Sequence, residues 1–357
     1  MKKILISVIT LTVIGLSSLA FAAPKLDSII VITRHGSRAP FGNFQKNPYK
    51  WPVPNEQLTP LGIQEEYELG QALRERYITN LQLMSDTYED GTINALASYS
   101  DRTIQSAQAL LIGLYPPGTG PVTVYGKDAL PDKIQIIPIR TVSSDSILFM
   151  RNYETYINIL KKYVYNSEAW QDKNKELESN YKKWSEITGT PINNLADLLN
   201  VGDVLICAKT QNLPLPEGLS EKDAETIINA TNWGLAEQFK NMDVSYLMGS
   251  EMLNKITSDL QNRAEGKDHY KMYLYSGHDI TILPLMALFG TPMKADPKYA
   301  ANLVIELYKD GTQNLVKVRY DGKYVKLPMM NGESSCTLET FIKNVEEVNQ
   351  KYGSATI

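Results

Sequence analysis

Residues 26–40 read LDSIIVITRHGSRAP. The first eight form a near-continuous apolar run, the pattern of a parallel strand covered on both faces. At its end the character changes: Arg34, His35 and Arg38 fall within five positions, spaced by Gly36 and Ser37. Ligands of open parallel sheets bind beyond the carboxyl ends of the strands. The stretch therefore predicts an α/β fold with a site at the end of its first strand.

The segments around it fill in the same architecture. Thr59-Pro60 offers a cap oxygen and a proline suited to the first helical position. Ile63, Tyr67, Gly70, Leu73 and Tyr77 then recur at three and four residues, one face for packing on a sheet. A second strand ends near Ser98-Tyr99. Asp101 is placed to cap the next helix, which has Ile104, Ala107, Leu111 and Leu114 on one side and Pro116-Pro117-Gly118 as its stop. Residues 134–139 (IQIIPI) are a further strand candidate. Residues 271–275 (KMYLY) return to strand character, followed by Gly277-His278-Asp279 and a helix ending at Gly290. Alternating residues 302–308 and 314–320 flank the turn-forming 309–312 (KDGT). Between these, 143–249 is charged, helical and rich in Tyr and Trp. The expected fold is α/β: a mostly parallel central sheet flanked by helices, from 23–142 and 250–357, with a helical cap inserted at 143–249.

Composition narrows the function. The 357 residues carry 36 Lys+Arg against 40 Asp+Glu, a net charge of −4, which excludes a polybasic binder of nucleic acid or membrane surfaces. At 43% hydrophobic and 21% charged, the chain is globular rather than disordered. Two cysteines exclude a disulfide framework and a Cys-rich zinc site, and three histidines leave little for a histidine metal site. No metal or other cofactor is expected. Nucleotide-binding, dinucleotide-binding, zincin and serine-hydrolase motifs are absent. Lys2 and Lys3, the apolar run from 4 to about 19, and Ala20-Phe21-Ala22 read as a secretory signal peptide cut after residue 22. No cysteine follows it to carry a lipid. Export to the periplasm or medium, without a stable membrane anchor, is the expectation. Outside the cytoplasm, a hydrolase fits better than an enzyme needing ATP or a nicotinamide.

Arg34, His35 and Arg38 follow the first strand, Arg102 opens the helix after the second, and His278 and Asp279 occupy the turn after the third. Three such turns can converge on one crevice, where helix amino ends also favour an anion. Three arginines and a histidine suit a phosphoryl group, because the guanidinium fork matches two of its oxygens. A neutral imidazole can take the phosphoryl group covalently, arginines can stabilise its equatorial oxygens, and a carboxyl can protonate the leaving group. His35 is the better nucleophile, lying between strand and arginine, and Asp279 the better acid; Asp101 is the rival, with a capping task. Each has a plainer reading as well. Arg102 alone could pair with Asp101, His278 and Asp279 could be caps, and His269 belongs to an exposed loop.

These residues resemble the histidine acid phosphatases. Residues 34–40 match their RHGxRxP signature, and Gly277-His278-Asp279 their later HD motif. The stretches LTPLGIQEEYELGQALRERY (58–77), SDRT (100–103) and LVIELY (303–308) are also similar, the first nearer to the prostatic and lysosomal acid phosphatases than to the bacterial phytases. The resemblance implies His35 as phosphohistidine nucleophile, Asp279 as proton donor, and Arg34, Arg38, Arg102 and His278 as phosphate ligands, with no metal. It implies small phosphomonoester substrates: aryl phosphates, phosphotyrosine, nucleotides or sugar phosphates. Relatives carry several disulfides. Cys207 and Cys336 align with cysteines whose usual partners are here Asn302 and a residue near Gly332, so the two are not expected to pair with each other. A phytase-like specificity and a non-catalytic phosphate binder are the alternatives, and a homodimer is compatible with the sequence.

Overall fold

The computed structural model describes residues 23–143, 148 and 153–353, so the expected leader at 1–22 lies outside the described residues. The opening stretch is strand β1 (Lys25–Arg34). Its Ile29 and Val31 enter one apolar cluster and Ile30 and Ile32 another, which is why the run has no polar face. The other strands are β2 (Ile93–Ala97), β3 (Ile139–Thr141), β4 (Met272–Gly277), β5 (Asn302–Asp310), β6 (Gln313–Tyr320), β7 (Lys323–Tyr324) and β8 (Ser335–Thr337). They form one mixed sheet of order β3-β2-β4-β1-β5-β6-β7, with β8 also on β6. β3, β2, β4 and β1 are parallel neighbours, while β5 and β6 continue from β1 as an antiparallel meander.

The α-helices are α1 (Pro60–Arg74), α2 (Asp101–Leu114), α3 (Tyr153–Ile159), α4 (Glu168–Thr188), α5 (Leu195–Thr210), α6 (Glu221–Gln238), α7 (Met242–Ala264), α8 (Asp279–Leu288) and α9 (Leu338–Gly353). Leu73 of α1 and Ala107, Leu110, Leu111 and Leu114 of α2 cover one face of the sheet. Met252, Leu253, Ile256 and Leu260 of α7, Ile282 and Leu285 of α8, and Phe341 of α9 cover the other. Helices α3 to α6 gather around their own cluster, in which Trp170, Tyr181, Trp184, Leu195, Leu198 and Ile227 are buried. Most Tyr and Trp of the inserted segment thus serve packing, while Tyr153 and Tyr163 are exposed. Helix α7 belongs to both parts: Val244 and Met248 join the helical cluster, Met252 onward the sheet cluster. The expected boundary at 249/250 falls inside it.

Three local expectations change. The buried stripe of α1 runs through Gly62, Glu66, Gly70 and Leu73, one position off the expected Ile63 and Tyr67, and Ile63 is exposed. Close helix packing selects this stripe, since a Cβ on Gly70 would stand 2.0 Å from Leu110 O and one on Gly113 2.1 Å from Tyr67 O. The strand expected at 134–139 is reduced to β3, which begins after Pro138, a residue unable to donate to a ladder. Ser100, not Asp101, holds the N-cap position of α2, and Asp101 is its exposed first residue. Cys207 and Cys336 are both free thiols, not paired with each other.

Candidate active site

Backbone bonding levels the three strand ends. Arg34, the last residue of β1, lies opposite Gly277, the last of β4. The His35 N–H donates to Gly277 O at 3.0 Å, and the Ser98 N–H beyond β2 to Ser276 O at 3.0 Å. The loop after β1 is fastened to both covering helices. Gly36 N–H donates to Ser106 Oγ on α2 at 3.1 Å, and Ser37 N–H to Glu65 Oε2 on α1 at 2.7 Å. Thr59, whose hydroxyl caps α1 at Gly62 N–H, also donates its own N–H to Ser37 O at 2.9 Å. Gly36 is required here: a Cβ on it would lie 2.2 Å from Gly62 O.

The side chains expected to act together are together. The His35 and His278 rings meet edge to face with centroids 5.4 Å apart. Tyr299 lies 5.9 Å from His35 and beneath Arg34, whose guanidinium carbon is 4.5 Å from its ring centre. Arg38 and Arg102 share the Phe41 ring, at 3.9 Å and 5.5 Å. Asp279 Oδ2 pairs with Arg34 at 2.8 Å. His35, Arg34, Arg38, Arg102 and His278 are all at most 5% exposed. Of the plainer readings, Arg102 pairs with Glu56 at 3.4 Å rather than with Asp101, and His278 does hold the N-cap position of α8. His269 is exposed and stacked on Tyr270.

Several neighbours were not legible in the sequence. Asp203 on α5 grips Arg38 with both oxygens, at 2.7 and 3.3 Å, and Cys207, one turn further along, receives an Arg38 N–H at 3.6 Å. Asp296 and the Pro297 carbonyl both accept from Arg34 Nη1. Ser98 Oγ meets His278 Nε2 at 2.8 Å. Asp203 and Asp296 are single carboxylates in unremarkable segments, and only the fold carries them to the arginines. Their one sequence signal is indirect: a buried arginine demands a carboxylate from somewhere.

Electrostatics sets protonation. Burial, then Arg102, His278, Arg34 and Arg38, push His35 well below its ordinary value of 6.5, so the ring is neutral. Burial and Arg102 bring His278 down to about 3, against the opposite pull of Asp279. Burial raises Asp279, but Arg34, His278 and Arg38 outweigh it and hold the carboxyl below the usual range. Burial and Asp279 push Asp296 well above the usual carboxyl range, against Arg34. The Nε atoms of Arg34, Arg38 and Arg102 are all buried without a hydrogen-bond partner among the described residues. Buried donors of this kind call for an acceptor, and three of them around two imidazoles suit an oxyanion.

Residues 25–327 match the model of the histidine phosphatase superfamily (branch 2). The chain belongs to that superfamily. It is 27% identical over 341 residues to the prostatic acid phosphatase of Bos taurus, covering 91% of this chain and 86% of the relative. It is also 27% identical over 345 residues to the lysosomal acid phosphatase of Bos taurus, covering 92% and 79%. The phytase from Citrobacter braakii superposes with a TM-score of 0.65 at 18% identity, over 91% of this chain and 98% of the phytase, a likeness of fold. This member of the superfamily is an enzyme, a phosphoric monoester hydrolase. Among its described residues no helix is long and apolar enough to cross a membrane.

Proposed function

We propose that this phosphatase is an exported acid phosphatase that hydrolyses small phosphate monoesters through a phosphohistidine at His35. The observation that carries the reading is the contact of His35 Nδ1 with Gly36 O at 2.8 Å. A carbonyl only accepts, so Nδ1 holds the ring proton and Nε2 keeps the lone pair. Burial keeps that ring neutral at acid pH, ready to attack. Arg34, Arg38 and Arg102, with His278, hold the phosphoryl oxygens and stabilise their charge as the group transfers. Asp279 protonates the leaving oxygen and then takes a proton from the attacking water. Its pairing with Arg34 favours the anion, and a phosphate dianion arriving at Arg34 offsets that charge and raises Asp279 again. Protonation of a carboxyl places the optimum in the acid range. Export rests on the leader at residues 1–22.

Substrate size follows from the acids already present. Asp203 and Glu56 place negative charge beside Arg38 and Arg102, which disfavours the additional phosphates of a ring carrying six relative to a single phosphoryl group. An aryl phosphate is expected to exceed inositol hexakisphosphate by at least about tenfold in kcat/KM, a difference of about 1.4 kcal/mol. Equal or better hydrolysis of the inositol ester would favour the phytase-like alternative. For the donor, Asp279→Asn should turn over an aryl ester with a good leaving group far better than an alkyl ester. Equal losses on both would remove Asp279 from that role.

A further inference from the structure

Resting on the phosphohistidine reading with Asp279 as donor, we propose that Asp296 is a positioning residue that shares the catalytic proton with Asp279 across the Arg34 guanidinium. Arg34 gives one terminal nitrogen to each acid: Nη2 to Asp279 Oδ2 at 2.8 Å and Nη1 to Asp296 Oδ2 at 2.7 Å. The two carboxyl side chains are only 19% and 5% exposed. Two carboxylates on one cation leave a surplus negative charge where water is scarce, and retaining one proton removes it. Asp296 Oδ1 is buried and lacks a hydrogen-bond partner among the described residues, so an ionised Asp296 would strand charge on that oxygen.

The charge balance supports the same arrangement. Burial and Asp279 raise Asp296 while Arg34 opposes them, and for Asp279 the groups Arg34, His278 and Arg38, with Arg34 foremost, overcome burial. Other titratable groups facing the pair include Arg102 of α2, Tyr156 of α3, Tyr299 in the loop after α8 and Tyr320 of β6, with Asp321 beside Tyr320. The pair therefore holds its proton to higher pH than Asp279 would alone. As the His35 Nε2–P bond forms and the ester P–O bond breaks, the leaving oxygen takes that proton. Water then attacks phosphorus, breaks the N–P bond and returns one proton to the pair.

The test is Asp296→Asn, with pH profiles of kcat for an alkyl and an aryl phosphate. The alkaline limb for the alkyl ester should move down by about one pH unit or more. The aryl limb should move much less, and substrate-derived label on His35 should persist. An unmoved alkyl limb, or equal shifts for both esters, overturns the proposal. Failure to label His35 in the unaltered enzyme sinks the underlying reading instead. If Asp296→Asn does not fold, carbon-13 titration of aspartate carboxyls in the unaltered protein decides. One buried aspartate should remain protonated above about pH 5 and respond to Asp279→Asn. Ionisation of all of them by about pH 5 overturns the proposal.

Discussion

His278 couples the chemistry of the pocket to the stability of the chain. Folding brings its pKa from 6.5 down to about 3, so between those values the unfolded chain binds a proton that the native state refuses. Stability from this residue is complete above about 6.5 and is lost as the pH falls toward about 3, at up to about 1.4 kcal/mol per pH unit. Chemical denaturation in phosphate-free buffer should show His278→Asn with a shallower acid slope than the unaltered protein; identical slopes would contradict the burial argument. Arg38 poses a different question at this scale. It meets Asp203 with two nitrogens and lies over Phe41, which a single ammonium group cannot reproduce. Arg38→Lys should lower kcat/KM by about a hundredfold or more, measured by steady-state kinetics on an aryl phosphate.

Among the elements, the loop after β1 and helix α1 share one steric constraint. Gly36 and Gly62 meet backbone to backbone: a Cβ on Gly62 would sit 2.2 Å from Ser37 O, matching the clash at Gly36. Either glycine to alanine should cost about 1–3 kcal/mol by thermal or denaturant melting, and should lower kcat further by displacing His35. Gly70→Ala offers a control that strains α1 against α2 and leaves the nucleophile loop in place. The RHG and HD segments were legible because unusual residues stand directly after apolar strand runs. The stripe of α1 was not. Ile63 and Tyr67 obey the apolar period, yet close approach to α2 selects the neighbouring face with its glycines, and buries Glu66 there. Pro138 similarly overruled an apolar run at 134–139.

For the molecule as a whole, α7 links the two hydrophobic clusters. Met252→Ala in the sheet cluster should cost about 2–5 kcal/mol. Because the same helix carries Val244 and Met248 into the helical cluster, tryptophan fluorescence from residues 170–233 and far-ultraviolet dichroism should report one coincident transition. Separated transitions would contradict this coupling. At this scale the sequence announced the α/β plan and the charged, aromatic insertion. It did not announce that α5 brings Asp203 and Cys207 against Arg38, because that contact depends on how the insertion docks. The central claim is tested by mixing the enzyme briefly with phosphorus-labelled aryl phosphate, quenching in alkali and mapping the label. The account predicts base-stable, acid-labile label on His35, abolished in His35→Ala; label on any other residue, or none with turnover intact, would contradict it.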